Sequence, residues 1–217
     1  MAKIAIVGGT GHLGHALAKR LAKAGHDVSI GSRAAESAAK AAAEIGPQVK
    51  AGANADVVAG CDFVIVTVPY AAQGATLADI RDKIGSAIVV DTTVPLKPPK
   101  VMRVQLPEAG SAAQEAQAHL GAGVRLVSAF HNVAAHKLAS DQAVECDVLA
   151  FSDDVEARAK VIELIKDTGL RGISGGALAN SAAAEALTSV LILLNKTYEA
   201  DGAGVRFTGL TKAPPIP

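Results

Sequence analysis

The chain has 217 residues, 21 basic and 21 acidic side chains, a formal net charge of +0, and a composition that is 50% hydrophobic but only 3% aromatic, with no Trp. A chain of this length buries roughly 70% of its unfolded surface, so it needs neither disulfides nor a structural metal, and its balanced charge excludes the basic excess that marks nucleic-acid binding. Apolar volume drawn mainly from Ala, Val, Leu and Ile suits helices packed on a buried sheet and excludes a sandwich with an aromatic core.

Taken in chain order, short Val/Ile-rich runs alternate with longer Ala-rich stretches, the pattern of strand-helix units feeding a parallel sheet. Strands are expected at 3–7, 27–31, 48–51, 62–68 and 87–91, and their continuous apolar character implies that helices cover both faces. Helices are expected at 13–24, 33–45, 54–59 and 71–83. Pro95, Pro98 and Pro99 then take the chain out of the sheet through an irregular connection. A helix at 110–120, strands at 124–130 and 146–151, and a helix opened by Asp153 and Asp154 and running to 167 follow. Residues 172–176 read as a short strand and turn, 180–198 as an Ala/Leu-rich helix, and 211–217 as a loose tail.

The first apolar run, 3–7, is too short for a signal peptide and leads straight into a glycine loop. The longest later run, 190–194, falls far short of the roughly 20 residues of a spanning helix, so no membrane association is expected. Cys61 and Cys146 match no metal or redox spacing, and a reduced, cytoplasmic setting is the simplest reading.

Directly after the first strand stands Gly9-Thr10-Gly11-His12-Leu13-Gly14, a GxGxxG motif preceded by Gly8. Alone the motif is weak, but here it lies between an apolar strand and a helix, with a second strand following, as a dinucleotide site requires. Gly9 would permit the tight turn, Gly11 the approach of a pyrophosphate, and Gly14 close packing of helix on strand. The helix N-terminus would offer free N–H groups to the phosphates. The fold class is therefore α/β, a Rossmann-type doubly wound, mostly parallel sheet. Residues 1–150 are expected to form the nucleotide-binding domain and 151–217 a small C-terminal helical lobe that completes the cleft.

At the end of the second strand, where NAD sites place a carboxylate on the ribose hydroxyls, this chain has Ser32 and Arg33. A guanidinium binds a 2′-phosphate that a carboxylate would repel, so NADP(H) is expected rather than NAD(H). Bland readings remain for other residues. Arg33 also reads as a solvated residue in the first turn of its helix, and His12 and His15, without a third ligand, make no metal site.

Several of these segments together resemble the NADPH-dependent coenzyme F420 reductases. The likeness rests on Val7-Gly8-Gly9-Thr10-Gly11-His12-Leu13-Gly14, Gly31-Ser32-Arg33, Thr67-Val68-Pro69-Tyr70 and Val127-Ser128-Ala129-Phe130-His131, with Gly176 to Asn180 and Gly204 to Phe207 later. The resemblance implies reversible hydride transfer between nicotinamide C4 and deazaflavin C5, bound face to face at the carboxyl ends of the strands. It also implies that Thr10, Gly11, His12 and Leu13 hold the pyrophosphate and that Ser32 and Arg33 hold the 2′-phosphate. By the same likeness Val68, Pro69, Tyr70 and Val94 line the nicotinamide half, the Ala135 backbone meets the carboxamide, and His131 faces the deazaflavin. A homodimer is implied as well, and the apolar last helix suits burial in the lobe or across a two-fold interface. The chain departs from the family in following Arg33 with Ala34, Ala35 and Ser37, which leaves Arg33 as the one basic residue there, and in carrying Tyr70 for Trp and Asn132 for Thr.

Two other readings of the residues stay open at this point. An NADPH-dependent reductase of a small carbonyl or imine needs a proton donor, which His131 or Tyr70 would supply. A non-catalytic NADP(H) sensor would bind the nucleotide without turnover.

Overall fold

The computed structural model describes residues 1–211, so most of the expected tail lies outside the described residues. One sheet of eight strands runs through the molecule: β1 (Lys3–Val7), β2 (Asp27–Ser32), β3 (Lys50–Ala53), β4 (Phe63–Val66), β5 (Ile88–Asp91), β6 (Leu126–Ser128), β7 (Asp147–Phe151) and β8 (Arg171–Gly176). Their order is β3-β2-β1-β4-β5-β6-β7-β8. The first six are parallel, β7 runs antiparallel to β6, and β8 returns parallel to β7. The order 3-2-1-4-5-6 is that of a doubly wound dinucleotide fold, with a switch of winding direction beside β1 where ligands bind.

The strands follow from their sequence. Ile4, Ala5, Ile6 and Val7 are all fully buried, and because side chains alternate across a strand, they divide between two cores. Ile4 and Ile6 pack with Ile30, Ile65 and Val90 on one face. Ala5 and Val7 pack with Val64, Val66 and Val89 on the other. The covering helices are α1 (His12–Lys23), α2 (Ala35–Ile45), α3 (Asn54–Val57), α4 (Tyr70–Ile80), α5 (Ala112–Leu120), α6 (Ala135–Ala139), α7 (Val155–Asp167) and α8 (Ser181–Thr197).

Three local differences from the sequence reading bear on the site. The fourth strand stops at Val66, not at residue 68, because α4 already begins at Tyr70 and its approach requires a turn through Pro69. The second helix begins at Ala35, so Arg33 lies in the loop before it and not in its first turn. The five-residue α6 is too short to show a helical period in the sequence. Arg20, on α1, ties α6, the segment after it and the end of α7 together through backbone carbonyls: Nε donates to Leu138 O (2.6 Å), Nη1 to Thr168 O (2.7 Å), and Nη2 to Ser140 O (2.8 Å) and Gln142 O (3.0 Å).

Beyond β8, the stretch Leu178–Thr197 is, by length and composition alone, apolar enough to cross a membrane, a property the sequence reading denied to every segment. Its Glu185 is buried, however, and accepts hydrogen bonds from the backbone N–H groups of Ala112 and Ala113 at the start of α5. Asn132 further ties α8 to the chain after β6, donating through Nδ2 to Ala184 O (2.8 Å).

Candidate functional site

The loop between β1 and α1 is built from glycines with different tasks. Gly8 takes the left-handed conformation, φ 74°, so the tight turn is made there and not at Gly9. Gly9 is needed for space: a Cβ would lie 2.9 Å from both the Ile6 carbonyl oxygen and the Ile30 side chain. At Gly14 it would meet Thr67 Oγ1 at 2.5 Å and Gly9 Cα at 2.7 Å, which makes that glycine the contact between helix and sheet. Gly11 differs from all three. Its φ of −76° suits any residue, and the nearest protein atom to an added Cβ is 3.5 Å away. The protein's own packing does not require a glycine there, whereas a diphosphate lying against the backbone would.

Gly11 is also the N-cap of α1 and provides no side-chain cap. The first N–H groups of the helix are therefore left to an external acceptor, the arrangement that binds phosphate.

Two cavities meet at this loop. One, about 230 Å³, is lined by Gly8, Thr10, Gly11, Ser32, Arg33, Asn54, Thr67, Val68, Pro69, Ala72 and Thr76. The other, about 660 Å³, is lined by Thr10, Gly11, His12, His15, Glu44, Ala135, His136 and Ala139. Thr10 and Gly11 form the shared lip. The structure thus brings Ser32, Arg33, Val68 and Pro69 to one side of the phosphate loop and His12 and Ala135 to the other. Leu13 is half-buried and packs against the core, and Gly9 and Gly14 are buried beneath the loop. Arg33 is exposed and makes no ion pair among the described residues.

Tyr70, Val94 and His131 border neither cavity. Tyr70 opens α4 and its hydroxyl donates to Glu115 Oε2 (2.8 Å); burial, followed by that carboxylate, pushes its pKa up to about 12. Val94 is half-buried in the loop after β5. His131 is buried just beyond β6, its ring tilted against Phe151 and its Nε2 2.7 Å from Ser128 Oγ. Burial lowers its pKa to about 4, so the imidazole is neutral near pH 7. Neither residue is poised to give up a proton in the neutral range.

Sequence reading missed a buried acidic assembly behind the strand ends. Asp91, at the tip of β5, is fully buried; it accepts from Gln73 Nε2 (2.8 Å) and Thr93 Oγ1 (2.7 Å), and desolvation pushes its pKa up to about 7. Glu185 is held by Ala112 N–H (2.7 Å), Ala113 N–H (3.2 Å) and Ser181 Oγ (3.1 Å), with its pKa raised by burial. The available signals were an acid closing the apolar run Ile88-Val89-Val90-Asp91 and a lone Glu within an Ala/Leu-rich helix. Among the described residues no group of three or more His, Cys, Asp or Glu is arranged to hold a metal, and both cysteines are free.

Comparison with known proteins gives a consistent set of relatives. Residues 3–95 match the family described as NADP oxidoreductase, coenzyme F420-dependent. The F420-dependent NADP reductase of Methanothermobacter thermautotrophicus is 40% identical over 222 aligned positions, covering 96% of this chain and 95% of that protein. The protein of the same name from Methanocaldococcus jannaschii is also 40% identical, covering 96% and 99%. Among solved structures, a crystal structure from Arthrobacter sp. FB24, described as a candidate F420-dependent NADP-reductase, superposes with a TM-score of 0.83 at 24% identity. It covers 96% of this chain and all of its own.

Proposed function

This chain belongs to the F420-dependent NADP oxidoreductases, and from that premise we propose how its residues serve the reaction. The activity is hydride transfer between NADP(H) and the deazaflavin coenzyme F420. The observation that carries it is the full-length likeness to reductases of that name. When bound, the two cofactors supply both the hydride donor and its acceptor, so what is asked of the protein is distance, orientation and exclusion of water.

The residues fit that demand. Gly11 leaves room for a diphosphate against the helix N-terminus. Thr10, Gly11, His12 and Leu13 hold it, with Gly9 and Gly14 shaping the loop beneath. Arg33, exposed beside Ser32 and without a carboxylate partner among the described residues, binds the 2′-phosphate. Val68, Pro69, Tyr70 and Val94 form the nicotinamide side, with the Ala135 backbone opposite and His131 supporting the deazaflavin face from behind its strand end. Tyr70 keeps its proton on a bond to Glu115, and His131 is neutral and paired with Ser128. A carbonyl or imine reductase would need one of them as an acid. A reaction between two cofactors needs neither.

In this reading residues 1–150 hold NADP(H), and α8, in the segment from 151 onward, closes the cleft and contributes to a homodimer. The protein works in the cytoplasm with small-molecule cofactors and without nucleic acid or membrane. The test is to mix the protein with NADPH and oxidised F420 and follow the absorbance of each. Equal and rapid consumption is expected. Binding of NADPH without turnover on F420 would overturn the assignment.

A further inference from the structure

Asn54 occupies an unusual place for a polar side chain outside the glycine loop and the Ser-Arg pair. It is 5% exposed, opens α3, and lines the same 230 Å³ cavity as Ser32 and Arg33. Its Oδ1 accepts a hydrogen bond from the N–H of Gly8 (3.2 Å). That contact fixes which way the amide points, because a backbone N–H requires the carbonyl oxygen and cannot pair with the NH₂. The Nδ2 group must therefore face away from Gly8.

The described residues provide Nδ2 with no acceptor. No fully buried side-chain nitrogen or oxygen among them is left without a partner, so Nδ2 retains some exposure, and the residue borders the cavity of Ser32 and Arg33. The backbone makes room for this placement. A Cβ on Gly31 would lie 2.9 Å from Asn54 Oδ1 and 3.1 Å from Asn54 Cα, so the glycine at the end of β2 admits the amide between β2 and the phosphate loop. A bulkier residue at 31 would expel it.

We propose that Asn54 is a cofactor-binding and specificity-determining residue whose Nδ2 donates to the phosphorylated ribose of NADP(H), while its Oδ1 holds the glycine loop through Gly8. The group is a donor only, and a donor favours the acceptor oxygens of a 2′-phosphate. One amide thus couples the shape of the pyrophosphate loop to recognition of the ribose. With Arg33 as the one basic residue on this loop, Asn54 supplies the second anchor that the run Ala34-Ala35-Glu36-Ser37 lacks.

The inference rests on the NADP reading of this cavity, and the substitution Asn54→Asp separates the two. The carboxylate retains an acceptor for the Gly8 N–H but replaces the donor with a second acceptor that repels phosphate. Affinities for adenosine 2′,5′-bisphosphate and for ADP are measured by calorimetry on the wild type and the variant, alongside NADPH and NADH. The wild type is expected to prefer the 2′-phosphorylated ligand; failure of that preference would overturn the NADP reading itself. With the preference present, the variant should lose about tenfold or more in affinity for the 2′-phosphorylated ligands relative to ADP and NADH. Equal losses for all four, or none, would overturn the role of Asn54 and leave only its structural bond to Gly8. The side-chain NH₂ resonances of Asn54 in the wild type give a second measurement that needs no variant to fold. They should move further on addition of adenosine 2′,5′-bisphosphate than with ADP, and identical responses to both would also overturn the proposal.

Discussion

Gly11 and Gly14 belong to one motif but answer to different forces, and substitution by Ala tells them apart. At Gly14 the new methyl group would lie 2.5 Å from Thr67 Oγ1 and 2.7 Å from Gly9 Cα, in contact with backbone that has no room to move. Overpacking of this kind costs about 1–3 kcal/mol, and Gly14→Ala should lower the denaturation midpoint accordingly. At Gly11 the methyl group has space in the empty protein, and the stability loss should not exceed the ~1 kcal/mol of exchanging a glycine N-cap. NADPH affinity should nevertheless fall by about tenfold or more, because the methyl group occupies the diphosphate's position. Melting curves with and without NADPH read both effects, and a Gly11→Ala protein that binds NADPH normally would show that the backbone is not the phosphate cradle. Arg33 poses the matching question for the ribose. Arg33→Ala should weaken NADP(H) by about 1.5–3 kcal/mol more than NAD(H), the value of a charge-assisted hydrogen bond. Equal loss for the two cofactors would place Arg33 outside the 2′-phosphate site.

At the scale of elements, what was legible in the sequence was whatever repeats along it. The apolar runs of β1, β4 and β5 announce strands buried on both faces, and the glycine spacing announces the turn into α1, because each signal lies within a few residues of its consequence. The work done by Asn54, Glu185 and Asp91 depends on residues 46, 73 and 18 positions away respectively. No local pattern carries such pairings. The acidic assembly that joins β5, α4, α5 and α8 has a measurable signature in its pH dependence. Asp91 has an unfolded pKa of about 3.9 and a folded pKa of about 7. Between those values the unfolded chain has released a proton that the native state still binds, so this group's contribution to stability falls as pH rises through the window, by on the order of a few kcal/mol. Glu185, also raised, acts in the same direction. His131, with its pKa lowered to about 4, acts in the opposite one, since the unfolded chain binds its proton up to about pH 6.5 and the native state does not. The difference between wild type and Asp91→Asn therefore isolates the carboxylate. Across denaturant titrations from about pH 4.5 to 7.5, the wild type should lose stability relative to the variant, and parallel curves would show that Asp91 is ionised throughout.

At the scale of the whole molecule, the last helix sets the question of assembly. Only 33% of the most apolar 18-residue window of the stretch Leu178–Thr197 is buried within the chain, although that window has a mean hydropathy of 1.3. Two polar groups of α8 are spent inward, Glu185 on the start of α5 and Thr188 Oγ1 on the carbonyl of His131 (3.0 Å), while Lys196 and Thr197 near its end are exposed. What faces outward includes Val190 and Leu193, 38% and 44% exposed and one turn apart, with Tyr198 beyond the helix end at 73%. Water is a poor solvent for such a face, whereas a second copy of the same helix across a two-fold axis would cover it, since an isologous interface pairs like surfaces. A stable interface of this kind buries about 800 Å² per partner, more than these three side chains alone supply, so neighbouring surface must join them. Sedimentation velocity of the wild type at micromolar concentration should give the mass of two chains. Leu193→Glu places a charge at the centre of the face without touching Glu185, Asn132 or Thr188, so the protomer should keep its melting behaviour when dilute and sediment as one chain. A variant that remains dimeric would move the interface elsewhere on the surface, and a wild type that sediments as one chain would leave the exposed face of α8 uncovered in solution.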